Sequence, residues 1–101
     1  MPVYPIAQLT ITDRGDYNRY QSRFMSVFNC YKGRVLAADE SPAVVEGKWD
    51  HQKLVLLSFP DEPAFREWAD SPEYQEITKD RYAASTAVIL LAKGLPILGY
   101  K

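Results

Sequence analysis

The stretch from Phe59 to Arg81, FPDEPAFREWADSPEYQEITKDR, carries the side chains best suited to hold a small molecule. Trp68 and Tyr74 offer flat apolar walls, each with a polar edge. Arg81 offers a planar fork of donors that matches a carboxylate. An arginine on the same helical stripe as Tyr74 and Ile77 is costly to bury without an anionic partner. The competing reading is architectural. Aromatics at helical spacing pack a helix onto a core, and Arg81 would then bond carbonyls or Glu46. Tyr17 and Tyr20 pose the same choice from an earlier helix. Their phenols either point into a gap between that helix and the sheet or sit at the rim of an ordinary core.

Acid–base candidates are few. Glu46, in VVEGKW, lies between valines and a glycine, and a carboxylate in apolar surroundings can act as a general acid or base. It can equally be the polar residue of a strand, or the ion partner of Arg81. No second carboxylate stands at a diagnostic spacing from it. His51 is the single histidine, the residue type most often used for proton transfer, but Asp50, Gln52 and Lys53 around it read as a solvated turn. Cys30 has no basic neighbour beyond Lys32 to stabilise a thiolate. Ser58 and Ser85 lack the G-x-S-x-G elbow. One histidine and one cysteine leave nothing for a zinc site. No phosphate-binding glycine loop or dinucleotide fingerprint occurs. No metal and no cofactor is expected.

The chain of 101 residues fits one domain, expected over 1–93, with a tail over 94–101. At 47% hydrophobic and 25% charged residues it has the profile of a folded globular protein. A net charge of -1 argues against a nucleic-acid partner, which requires a basic face. A lone cysteine cannot form a disulfide within the chain. No basic region followed by an apolar stretch marks a signal peptide, and no apolar run approaches a membrane span. The expectation is a cytoplasmic protein with neither nucleic-acid nor membrane partners.

Several elements must position these residues. VYPIAQLTIT from Val3 reads as a strand, with Pro5 placing that end at a sheet edge or before full pairing. Asp13 reads as an N-cap, and Tyr17, Tyr20, Phe24, Val27, Phe28 and Tyr31 share one helical face. Gly33 stands where a left-handed residue would end that helix. RVLAAD from Arg34 is a short strand, AVVEGKW its expected continuation after a bend, and KLVLLSF from Lys53 another strand. Asp61 caps a helix whose buried face holds Phe65, Trp68 and Ala69. Ser71-Pro72 breaks it and starts a third, with Tyr74, Ile77, Thr78 and Arg81 on one face. STAVILLAK from Ser85 is the last strand. The order βαββαβ suits an α+β ferredoxin-like domain, a four-stranded antiparallel sheet with its helices on one face.

LVLLSF and AVILLA do not alternate between apolar and polar, so these strands require cover on both faces. Helices shield one. A second copy of the same sheet is the simplest cover for the other, burying roughly 800 Å² per partner. The alternative is the tail, whose Ile97, Leu98 and Tyr100 either fold back over that face or reach across to the partner.

YPIAQLTITDRGDYNRY, GRVLAADESPAVVEGKW and LVLLSFPDEPAFREWADSPEYQEITKDRYAAS together resemble the domain of unknown function 1330 family. The most specific parts are Glu46-Gly47 before Trp49, and Phe59-Pro60 leading to Trp68, Ser71, Glu73-Tyr74 and Arg81. The resemblance implies a dimeric α+β barrel and distant kinship with small cofactor-free monooxygenases, isomerases and stress-response proteins. The chain departs from the family at Asp39-Glu40-Ser41-Pro42, where many members carry a glycine-rich segment. Two functions stay open. One is a cofactor-free enzyme, oxygenase- or isomerase-like, whose pocket between helices and sheet is lined by Tyr17, Trp68, Tyr74 and Arg81. The other is a non-catalytic dimeric binding or interaction module.

Overall fold

The computed structural model of the protein describes residues 1–95. Its elements follow the order β1 (Val3–Ile11), α1 (Arg14–Phe28), β2 (Arg34–Asp39), β3 (Lys53–Ser58), α2 (Glu62–Ala69), α3 (Pro72–Ala84) and β4 (Ser85–Lys93). The strands form one antiparallel sheet in the order β2-β3-β1-β4. This is the ferredoxin-like α+β arrangement. Among the described residues no helix is long and apolar enough to cross a membrane. The expected tail contacts of Ile97, Leu98 and Tyr100 lie outside the described residues.

Each helix starts where a side chain satisfies free N–H groups. The Asp13 carboxylate accepts from the Asp16 amide at 3.1 Å, and the Asp61 carboxylate accepts from the Ala64 amide at 2.9 Å. Ser71 does two jobs at the break between α2 and α3. Its hydroxyl donates to the Trp68 carbonyl at 2.8 Å and accepts from the Tyr74 amide at 3.1 Å, closing one helix and opening the next.

Three local expectations are corrected. Pro5 lies in a central strand, not at an edge, because β1 pairs with both β3 and β4. Val3 exchanges both backbone bonds with Phe59, so the odd residues of β1 aim their amides at β3. The N–H that Pro5 lacks therefore falls between the Val3–Phe59 bridge and the Ile6–Leu56 pair, where the β1–β3 ladder is interrupted. Residues 43–49 form no strand. The chain crosses the sheet face away from the helices, where Trp49 Nε1 donates to Gln8 Oε1 at 3.0 Å and the Gln52 amide donates to the Leu9 carbonyl at 2.8 Å. Gly33 is not left-handed; α1 ends at Phe28, with Asn29 as its C-cap. Glycine is required there for space, since a Cβ would stand 2.4 Å from the Phe28 ring and 2.5 Å from that of Phe59.

Strand alternation sorts the two faces. Val3, Leu9, Lys53, Leu57 and Phe59 point to the helices and are buried. On the other side Val88 and Leu90 keep 46% and 50% of their surface, far more than core strand residues do. Two-sided apolarity, read from LVLLSF and AVILLA, is thus a property of the folded sheet.

Gly33→Ala should lower stability by about 1–3 kcal/mol, the cost of forcing a methyl into a filled site. Chemical denaturation would read this as a lower midpoint with an unchanged slope.

Candidate functional site

The gap between helices and sheet is filled at one end and hollow at the other. Trp68 fills the closed end. Its ring lies within 4.1–6.1 Å, centroid to centroid, of Phe24, Phe28, Phe59, Phe65 and Tyr74. Such tilted and edge-to-face pairs each add about 0.5–1.5 kcal/mol beyond area burial. Phe28 comes from α1, Phe59 follows β3, and Tyr74 comes from α3, so one side chain ties three elements together.

Beyond this cluster lies a cavity of about 410 Å³, with Pro5, Ala7, Leu9 and Val55 from the sheet, Tyr17 and Tyr20 from α1, and Trp68, Tyr74 and Arg81 from the later helices among its lining residues. The structure therefore brings Tyr17, Trp68, Tyr74 and Arg81 together around one space. Tyr20 and Tyr74 share a buried hydrogen bond, hydroxyl to hydroxyl, at 2.8 Å. Burial pushes the Tyr20 phenol well up from its ordinary value, and the neighbouring Tyr74 adds to the shift. Burial also raises Tyr74, opposed by its bond to Tyr20 and the positive charge of Arg81. A cation beside the Tyr74 oxygen favours Tyr20 as donor and Tyr74 as acceptor.

Arg81 is 7% exposed, and its Nε makes no hydrogen bond among the described residues. Among the described residues no carboxylate forms an ion pair with it. The expected alternative, a salt bridge to Glu46, does not form. Glu46 is exposed in the segment that crosses the opposite face of the sheet. Trp68 Nε1, in the same lining, is a second buried donor without an acceptor. Unsatisfied buried donors are costly and uncommon in folded proteins.

Lys53 completes the lining and escapes the sequence reading, which started a strand at it but counted its side chain with the solvated turn around His51. It is 5% exposed. Its Nζ donates to Gln21 Oε1 at 3.2 Å and lies 4.8 Å from the centroid of the Tyr17 ring. Glu40 is 3.9 Å away, but both its oxygens already accept from Arg14 at 3.0 Å. That guanidinium holds the Glu40 carboxyl below its usual range. The missed signal was alternation: Lys53, Val55, Leu57 and Phe59 share a face, so a lysine heads an otherwise apolar row.

His51 is separated from the cavity by the sheet. Its Nδ1 lies 3.3 Å from Thr10 Oγ1, and its ring is 5.9 Å from that of Trp49. Neither Glu46 nor His51 can reach a molecule held beside Arg81 in the same chain. Cys30 is exposed. Among the described residues no cluster of three or more histidine, cysteine, aspartate or glutamate side chains could hold a metal ion.

The family model for the domain of unknown function 1330 matches residues 2–95. No curated protein matches the sequence. Among solved structures, the RPA0582 protein of unknown function from Rhodopseudomonas palustris superposes with a TM-score of 0.78 at 20% identity, over 94% of this chain and 83% of that one. SnoaB, a cofactor-independent oxygenase from Streptomyces nogalater, gives 0.68 at 17% identity over 97% of each chain. A dimeric ferredoxin-like protein of unknown function from Jannaschia sp. CCS1 gives 0.68 at 13% identity, over 93% of this chain and all of that one. At these identities the likeness is one of fold.

The tyrosine pair predicts alkaline sensitivity. Because the folded phenols hold their protons more tightly than unfolded ones, their contribution is complete below about pH 10 and lost as pH rises above it. Tyr20→Phe should flatten that decline in denaturation curves taken across alkaline pH. Leaving the Tyr74 hydroxyl without its partner should also cost about 1–3 kcal/mol at neutral pH.

Proposed function

The chain belongs to the domain of unknown function 1330 family, and on that premise we propose that it binds a small, flat organic acid in the cavity between its helices and its sheet. The observation that carries this reading is Arg81, a buried arginine without a carboxylate partner, facing an apolar cavity of about 410 Å³. That volume lies within the range of small-molecule sites. A carboxylate beside the guanidinium would neutralise the buried charge. Trp68 and Tyr74 supply walls for an aromatic or cyclic body. Charge-assisted bonds of this kind are the strong ones.

A second reading, a cofactor-free enzyme, draws on the fold shared with SnoaB, a cofactor-independent oxygenase. The Tyr20–Tyr74 pair and Lys53 are the groups in this chain placed to move protons at a bound molecule. Glu46 and His51 have no part in it within one protomer. Oxygen uptake on adding phenolic acids separates the enzyme from the non-catalytic binding module.

We further propose that the protein is a homodimer through its sheet faces. Val88 and Leu90 are half-exposed on the side away from the helices, with Ile6 and Leu56 beside them in register. The Jannaschia protein of the same fold is described as dimeric. An exposed free thiol at Cys30 sits best in a reducing compartment, so we assign the protein to the cytoplasm.

In a thermal-shift titration 2-naphthoate should raise the melting temperature of the wild type, and Arg81→Gln should bind it roughly ten- to hundred-fold more weakly. An unshifted wild type, or a folded Arg81→Gln that binds equally well, defeats the ligand reading. Sedimentation should show two chains at micromolar concentration, and Leu90→Asp should sediment as one because a charge would enter the apolar contact.

A further inference from the structure

The cavity holds a second cation that the binding of a single carboxylate does not use. Lys53 enters from the sheet floor against Tyr17, whereas Arg81 enters from α3 against Tyr74. Each is at least nine-tenths buried. The one carboxylate among the lining residues is Asp70, which is exposed at the end of α2. Glu40 is near Lys53, but it is 44% exposed, outside the lining, and engaged bidentately by Arg14. Lys53 Nζ has three donors and, among the described residues, makes a hydrogen bond only to Gln21. The floor of the cavity thus presents a buried ammonium with spare donors, and its roof a buried guanidinium with a free Nε.

Resting on the ligand reading above, we propose that Lys53 is a second anionic anchor and that the site takes cyclic or aromatic dicarboxylates in preference to monocarboxylates. One carboxylate pairs with Arg81 and the other with Lys53, while Tyr17, Trp68 and Tyr74 enclose the ring between them. A monoacid on Arg81 leaves Lys53 with only the half-exposed Glu40 at 3.9 Å, which Arg14 already engages. A diacid satisfies both, and preference follows from that difference. Gln21, itself in the lining, positions the lysine by accepting one of its protons.

Calorimetric titration with 2-naphthoate, the 1,4-, 2,3- and 2,6-naphthalenedicarboxylates and the monomethyl ester of each diacid tests this. Diacid and ester differ in one charge and little in shape. At least one diacid should bind wild-type protein about ten-fold or more tightly than its own ester. In Lys53→Met the ratio for that pair should fall to about one; Lys53→Gln, which keeps a polar head, serves if the methionine variant does not fold. Equal affinity of every diacid and its ester in the wild type overturns the proposal, and so does a ratio that survives loss of the ammonium. If neither 2-naphthoate nor any diacid binds, the ligand reading itself fails. Binding of 2-naphthoate without a diacid preference removes only the role of Lys53.

Discussion

Trp68 is the prop on which the site depends. Its indole packs against aromatic rings from α1, from the end of β3 and from both later helices. Close-packed aromatics do not compress, so they set the spacing between helices and sheet. Side chains farther along the gap are too small to fill that spacing. Pro5 and Ala7 line the sheet side of the hollow part. A solid aromatic end and a thin apolar floor leave a cavity by geometry.

That cavity has an unusual electrostatic character for a core. Two basic side chains are buried in it, and the nearby acids are placed elsewhere: Glu40 on Arg14, Asp80 toward Arg19 and Arg23, Glu46 across the sheet. Asp70 stays exposed at the rim. Removing ions from water is expensive, and attraction to an opposite charge offsets the expense best where water is excluded. An anionic guest would therefore interact more strongly here than with the same cations at the surface. The buried phenol pair beside Arg81 adds polar contacts without adding negative charge, because burial keeps both hydroxyls protonated.

The opposite face of the sheet has a different character. Half-exposed Val88 and Leu90 form an apolar surface, and the segment after β2 crosses part of that face through Trp49 and His51. Val45 on that segment is 95% exposed, a further apolar group suited to a protein contact. The cavity and the exposed apolar surface therefore occupy different sides of one sheet. Strand alternation makes this possible, since neighbouring residues of the same strand serve different sides.

Much of the architecture was legible in the amino-acid order because it rests on local rules. Caps at Asp13, Asp61 and Ser71, the α1 stripe from Tyr17 to Phe28, and the helix break at Ser71-Pro72 depend on neighbours within a turn or two. The uninterrupted apolar strands announced a sheet apolar on both faces for the same reason. Trp68, Tyr74 and Arg81 were identifiable as candidates by residue type within one stretch, and Tyr17 joined them through the expected gap between helix and sheet. What the order of residues left open was set by contacts between distant segments. Pro5 lies centrally because β4 returns beside β1, and Gly33 is needed for space because Phe28 and Phe59 converge on it. Glu46 and Arg81 lie on opposite sides because the chain crosses the sheet between them. Lys53 looked like a solvated residue at the start of its strand until pairing with Leu9 fixed its side chain toward the helices. Periodicity and capping are properties of a short peptide, but burial of a charge and the volume of a cavity exist only when several segments meet.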